Sequence, residues 1–438
     1  MKKVIVIGGG PAGMMAAIAS ARSGAKTTLL EAGPKPGRKL LLTGNGRCNL
    51  TNLDTQIRSV YDSADPSEAK TLVNSVFSGF DTEDLLQFFR NEGLLTMTEH
   101  GSYVYPVTAQ SSTVLEVLLR AMKALDVKLK YSEEVIEIER IREDASGMPS
   151  ESGWNVRTKT WTYTTDRVIL ACGSRAVPST GSNGSGYELC RMLGLDVTDI
   201  LPALTAVSCS LYAPDAKAYV PGSARRQGRQ SESQHTADPL SDASGTRTLA
   251  LVTVLADGEQ IAQERGQVQF TKQDLSGIVV YNLSRFVVRA LHRGCEVTLS
   301  LDLVPDTAQD VLDQTIKALR KKYDGISDDR ILCGLVSSRL IPAVLALSRQ
   351  SGQSLAHVLK HFLLKASALR DFDSAQVCAG GVRVTELHAG TLECRAQELK
   401  GIYLAGELID VDGPCGGYNL QWAFSSGYVA GLNAAMEP

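Results

Sequence analysis

A chain of 438 residues, 43% hydrophobic and 21% charged with a formal net charge of -3, has the composition of a soluble globular protein and is too long for one ordinary core. Near-neutral charge gives no electrostatic reason to expect nucleic acid or an anionic membrane as a standing partner, and no apolar run reaches the roughly 18 to 20 residues of a membrane span. Nine cysteines, odd in number and without a C-x-x-C pair, suit reduced thiols in a cytoplasm and indicate neither a disulfide framework nor a cluster site.

Residues 4–7 (VIVI) predict a short buried strand that leads into Gly8-Gly9-Gly10-Pro11-Ala12-Gly13 and a helical stretch over 14–22. The run is broken after four residues by three glycines and a proline, so the basic start Met1-Lys2-Lys3 is not read as a secretion signal. A cytoplasmic location is expected. Gly8 permits the sharp turn, Gly10 lets backbone approach a pyrophosphate and Gly13 lets the helix pack on the strand, while the helix start offers free N–H groups to an anion. A second strand over 27–30 ends at Glu31-Ala32, about 20 residues beyond the turn, where a carboxylate accepts hydrogen bonds from ribose hydroxyls and repels a 2′-phosphate. This order predicts a dinucleotide site, most plausibly for FAD.

A glycine- and asparagine-rich loop over 37–52 follows. Arg38, Lys39, Arg47, Asn45 and Asn49 can neutralise a pyrophosphate or bond a flavin edge, and Gly44 and Gly46 allow backbone approach. Helical periodicity over 66–91 and a helix over 112–125 lead to strands at 128–130 and 135–140, the second opened by Val135, which is placed at the cofactor. A hairpin over 154–163 precedes a buried strand at 167–172, whose end, Ala171-Cys172-Gly173, should meet the cofactor. The loop over 173–187 is not a second fingerprint, because no strand ending in an acid follows it. NAD(P)H, if it serves as a transient electron donor, therefore has no nicotinamide domain of its own.

From about residue 193 short alternating strands appear at 206–212, 248–255, 268–271 and 297–301, with helices over 306–322, 341–350 and 354–365. The polar stretch 221–246 reads as a mobile loop. Residues 402–405 return to the buried-strand pattern, so the intervening block is an insertion into a split nucleotide-binding domain. Gly406-Glu407, the turn at Asp412-Gly413 and the run Gly417-Tyr418-Asn419-Leu420-Gln421 complete the cofactor contacts at the start of a last helix over 420–435. The positive end of that helix favours negative charge on the N1–C2 carbonyl side of a reduced flavin.

Flavin chemistry asks the protein for orientation and one proton donor, and Tyr103, Tyr105, Tyr418 and Cys48 are the candidates; Cys48 and Tyr418 are also the candidate catalytic residues. No metal is expected. His357 and His361 share a helix face at i, i+4, with no third ligand nearby, and the other four histidines are isolated.

These residues resemble a family of bacterial FAD-dependent flavoproteins that includes BaiN-type bile-acid enone reductases, YhiN-type proteins and aminoacetone oxidases. The motifs that carry the resemblance are IGGGPAGMMAA at 7–17, GRKLLLTGNGRCNLTN at 37–52, YVYP at 103–106, LACGS at 170–174 with TGSNGSGY at 180–187, QFTKQDLSG at 269–277 and the block from 401 to 431. The family resemblance implies an α/β fold with a split Rossmann-like FAD domain, an inserted β-barrel and a helical region. That agrees with a division into 1–192, 193–370 and 371–438. The chain departs where the family reads FTHxGLSGP: residues 270–278 are FTKQDLSGI, without the histidine and proline, and the 221–246 loop is longer.

The leading functional expectation is an FAD-dependent oxidoreductase that uses NAD(P)H to reduce an activated C=C or similar group on a small organic substrate. Amine or aminoketone oxidation with O₂ is the alternative. An RNA-modifying flavoprotein is a third class, supported only by Arg320-Lys321-Lys322 and the arginines at 225, 226 and 229.

Overall fold

Four consecutive β-branched residues with no charge among them can be satisfied only in the middle of a sheet, and the strand Lys3–Ile7 lies there. In the computed structural model, which describes residues 1–54, 56–141, 153–213 and 240–436, it is the centre of a five-stranded parallel sheet. The order is Ile402–Leu404, Arg167–Leu170, Lys3–Ile7, Lys26–Leu30 and Lys128–Lys130. Register is tight: Val4 pairs with Arg167 and Thr27, and Ile169 pairs with Tyr403. A strand from near the C-terminus thus lies two places from the first strand of the chain. Two antiparallel three-stranded sheets flank this core, one from Val135–Arg140, Trp154–Thr158 and Thr162–Thr165, the other from Thr51–Asn52, Tyr103–Pro106 and Thr96–Glu99.

The chain divides into two compact units, Met1–Pro202 with Asp371–Pro438, and Ala203–Arg370. The second unit is a closed six-stranded barrel, in which Val207–Leu211 pairs with both Asp274–Ser276 and Phe362–Leu369. Closure removes the free edges that an open sheet of this size would expose. Helix Ile278–His292 buries Val279, Val280, Leu283, Val287 and Ala290 within this unit. Among the described residues no helix is long and apolar enough to cross a membrane.

Several local expectations are corrected. The helix expected over 354–365 ends at Lys360, and Phe362–Leu369 is a barrel strand with Phe362, Leu364 and Ala366 inward. The helical stretch over 66–91 is two helices, Pro66–Gly79 and Thr82–Asn91. They are separated because Asp81 forms a capping box with Asp84 and starts a new helix. Helix Ile278–His292 was not anticipated. The loop expected over 221–246 lies outside the described residues up to 239; its end carries a short 3₁₀ turn, Ser241–Ala243, behind a buried Leu240.

At the barrel motif where the chain departs from its family, the Asp274 carboxylate is buried, accepts from Ser208 Oγ at 2.7 Å, and takes Arg370 Nε and Nη2 on one oxygen at 2.9 and 2.5 Å. Breaking a buried ion pair from one side leaves an uncompensated charge, and half-exposure of the Arg370 side chain reduces that penalty. Arg370→Met is expected to destabilise the barrel unit by about 2 kcal/mol in chemical denaturation. A midpoint equal to wild type would mean that the carboxylate is already solvated.

Candidate cofactor site

The strand Lys3–Ile7 ends in Gly8, which turns with φ +109°; a side chain there would drive its Cβ to 2.4 Å from the Ala171 carbonyl oxygen. Helix Pro11–Arg22 starts at once, with Pro11 in its first turn and Ala12 buried. Gly13 lies so close beneath the turn that a Cβ would meet Gly8 O at 1.9 Å, whereas a Cβ on Gly10 would meet nothing within 4 Å. The turn is closed toward the sheet and open on its outer face. Glu31 ties the second strand to it, its Oε2 accepting from Gly9 N at 2.8 Å and its Oε1 from Gly33 N at 2.6 Å, with Ala32 exposed beside it.

The 37–52 loop is anchored to this turn by Gly37 N donating to Gly9 O at 2.8 Å. It winds into 3₁₀ turns over Leu40–Gly46, with Gly44, Asn45 and Cys48 in left-handed conformations, which glycine adopts freely, asparagine tolerates and Cys48 adopts with strain. Lys39 Nζ forms an ion pair with Glu407 Oε2 at 2.7 Å, and Ser174 Oγ donates to the same oxygen at 3.0 Å. Arg38 Nη2 reaches Ser179 O at 2.5 Å. Arg47 pairs with Glu99 at 2.5 Å and lies over the Tyr105 ring, 4.4 Å from its centroid. Ala171 N donates to Ile7 O at 2.9 Å, which sets the half-buried Cys172 and Gly173 at the sheet end beside the fingerprint. Val135 is buried at the start of its strand, just after Glu133 N, which donates to Glu31 O at 3.0 Å.

The C-terminal block approaches from the other side. Gly406 N donates to Ser426 Oγ at 2.9 Å and Gly406 O accepts from Trp422 Nε1 at 3.1 Å, so the strand end and last helix are stitched together. Asp412 is held by paired backbone bonds with Asp62. Asn419 closes its own turn, accepting from Gly413 N and donating to Gly413 O, both at 2.8 Å. Helix Tyr418–Ala435 begins at Gly417, and Gly416, Gly417, Asn419 and Leu420 are partly exposed. Gln421 is fully buried, donates to Ser425 at 2.9 Å, and leaves its Oε1 without a partner, as the buried Asn49 Oδ1 is left.

All the residues assigned to the cofactor lie in the first unit. The two candidate catalytic residues lie there too, and both are buried. Cys48 is fully buried, and burial pushes its thiol up to about 12, so it offers no thiolate near neutrality. Tyr418 is buried with its hydroxyl donated to Asp54 Oδ2 at 3.0 Å, and its carbonyl accepts from Tyr61 at 2.7 Å. Sequence reading did not single out Ser174, Glu99 or Asp54 as partners of these residues. His357 and His361 do adjoin, with ring centroids 4.8 Å apart, but among the described residues no group of three or more His, Cys, Asp or Glu is placed to hold a metal.

A family model described as the HI0933-like protein Rossmann domain matches residues 2–433. A 3-dehydro-bile acid delta(4,6)-reductase of Clostridium scindens is 35% identical over 100% of both chains. A ribosomal RNA dihydrouridine synthase of Escherichia coli is 24% identical over 97% of this chain and 96% of that one. Among solved structures, the 3-ketosteroid-delta4-(5alpha)-dehydrogenase of Rhodococcus jostii RHA1 in complex with 4-androstene-3,17-dione aligns with a TM-score of 0.49 at 15% identity, over 100% of this chain and 97% of that one. Matched by the family model along nearly its whole length, the chain belongs to the HI0933-like Rossmann family, and it is a flavin-dependent oxidoreductase.

Proposed function

We propose that the chain saturates a C=C bond conjugated to a carbonyl on a small organic substrate, with FAD held in the first unit and NAD(P)H as a transient donor. One observation carries the cofactor assignment: the glycine turn closed toward the sheet and open outward, with an anchored acid beside it. That cradle fits an adenosine diphosphate. Glu31 would receive the ribose hydroxyls, the start of helix Pro11–Arg22 and Lys39 would face the pyrophosphate, and the Gly44–Arg47 and Gly416–Asn419 turns would border the ring. Bound FAD supplies two electrons as a hydride.

The substrate class rests on the relatives. The reductase of 35% identity and the dihydrouridine synthase of 24% identity bear names that both describe saturation of a C=C next to a carbonyl. The small-molecule class is favoured by the higher identity and by the absence of excess positive charge. Residues of this chain orient the substrate, exclude water and return a proton.

Anaerobic mixing tests this reading. Purified protein should show a flavin band near ~450 nm that NADH or NADPH bleaches and androsta-4,6-diene-3,17-dione restores, since the chemistry is assigned to the flavin. Bleaching by aminoacetone with recovery only in O₂ would instead establish the oxidase. A protein that takes up no FAD on reconstitution would defeat both.

A further inference from the structure

The turn over 271–274 joins strands Glu259–Phe270 and Asp274–Ser276 of the barrel unit, and it is where the chain departs from the family pattern FTHxGLSGP. Lys272 stands in place of the histidine and Asp274 in place of the first glycine. Both replacements line one cavity of about 570 Å³, whose wall is made by Ser244, Thr271, Lys272, Gln273, Asp274 and Arg370, all within the barrel unit. That volume suits a small organic molecule. With polar side chains on every part of the wall, recognition must come from hydrogen bonds and charge.

The wall is held in place from several directions. Thr271 N donates to Asp274 O at 2.9 Å and Asp274 N to Thr271 Oγ1 at 3.1 Å, a tight turn that carries Lys272 and Gln273 at its tip. Gln273 O accepts from Cys209 N at 3.2 Å, which ties the tip to a neighbouring strand, and the buried Asp274 carboxylate is held by Ser208 and Arg370. Gly245 N donates to Phe270 O at 2.8 Å and fixes Ser244 beside the same strand end. Charge on this wall is unbalanced. Asp274 and Arg370 cancel one another, which leaves the exposed Lys272 ammonium; among the described residues it forms no ion pair or hydrogen bond. Arg339, whose Nη1 donates to Ser244 O at 2.9 Å, adds a further cation at Ser244.

We propose that this cavity binds the carboxylate of a small organic anion, with Lys272 as its charge partner and the Ser244 hydroxyl and Gln273 amide as further donors. No flavin step is involved, so the site stands apart from the C=C-reduction reading. The family pattern could not build it in the same way. A glycine at 274 has no carboxylate to hold Arg370 on the wall, and a histidine at 272 is largely neutral above its usual range. A hydrogen bond between an ammonium and a carboxylate is roughly twice as strong as one between neutral groups, and a turn fixed in advance gives up little backbone freedom to make it.

The probe is 4′-(trifluoromethyl)biphenyl-4-carboxylate, followed by fluorine NMR line broadening on the wild-type holoprotein at neutral pH, with the matching carboxamide as its neutral counterpart. The carboxylate should bind about tenfold more tightly than the amide, the gap expected of one charge-assisted contact. Lys272→Gln should remove most of that gap and Lys272→Arg should keep it; residue 272 is exposed at a turn, so neither change disturbs packing. Absence of binding by either compound, or equal affinities for the two, overturns the proposal. So does an unchanged carboxylate affinity in Lys272→Gln, which would put the ligand elsewhere on the protein. Displacement of the probe by inorganic phosphate at lower concentrations than by acetate, at equal ionic strength, would make this a phosphate site and overturn the carboxylate assignment.

Discussion

Gly13→Ala protein is expected to purify colourless and to melt well below wild type. The cause is space, since a Cβ at residue 13 would lie 1.9 Å from the carbonyl oxygen of Gly8, far inside the 3.0 Å that Cβ contacts keep. That oxygen is backbone in the fingerprint turn and cannot swing aside as a side chain could. Helix Pro11–Arg22 must therefore move off the sheet, and its free N–H groups move with it. Overpacking of this kind costs about 1 to 3 kcal/mol and sometimes more. The cofactor is lost as well as stability.

Gly10→Ala separates the two effects. A Cβ at residue 10 meets nothing within 4 Å, so the fold should be unchanged within about 0.5 kcal/mol. The methyl group would instead occupy the open face, and FAD affinity should fall about tenfold or more, equivalent to about 1.4 kcal/mol. Thermal melts of the flavin-free proteins and FAD titrations by fluorescence quenching measure the two quantities. Wild-type melting and flavin content in Gly13→Ala would show that the turn relaxes at little cost, contrary to the packing argument.

The parts of this site that were legible in the sequence are local in the chain. Strand, glycine turn, helix and Glu31 fall within 31 residues, and each has its own composition signal. Buried strands such as Arg167–Leu170 and Ile402–Leu404 were readable as apolar runs. Partners across long loops were not. The ion pair of Lys39 with Glu407 and the bond of Tyr418 to Asp54 each join residues more than 360 apart, and no spacing rule reaches that far. Helix Ile278–His292 was missed because it opens Ile-Val-Val-Tyr, residues whose propensity favours a strand, and packing in the barrel unit overrides that preference. The first three residues of strand Glu259–Phe270 break the alternation, since Glu259, Gln260 and Ile261 are all exposed. The sequence of Phe362–Leu369 does alternate, but it adjoins a helical run and was absorbed into it.

Gly427→Ala and Gly431→Ala should differ in what they remove, although each introduces one methyl group into the same helix. The last helix crosses the first so closely that a Cβ at residue 427 would lie 2.3 Å from Ala12 O, and one at residue 431 would lie 2.2 Å from Ala16 O. Helix separation is set by the side chains at the crossing, so either methyl forces the pair apart, at a cost of about 1 to 3 kcal/mol each. The two costs will not add, because the first wedge already opens space for the second. Their positions decide the functional outcome. Ala12 belongs to the fingerprint turn itself, one residue before Gly13, whereas Ala16 lies a helical turn further on. Gly427→Ala should therefore weaken FAD binding several-fold more than Gly431→Ala at a similar loss of stability, as its wedge acts where the helix start would face the pyrophosphate. Gly334→Ala, in the barrel unit with no atom within 4 Å of a Cβ, is the control and should leave both properties unchanged. Equal flavin affinities in Gly427→Ala and Gly431→Ala would mean that the helix pair shifts as a rigid whole and transmits either wedge to the turn alike.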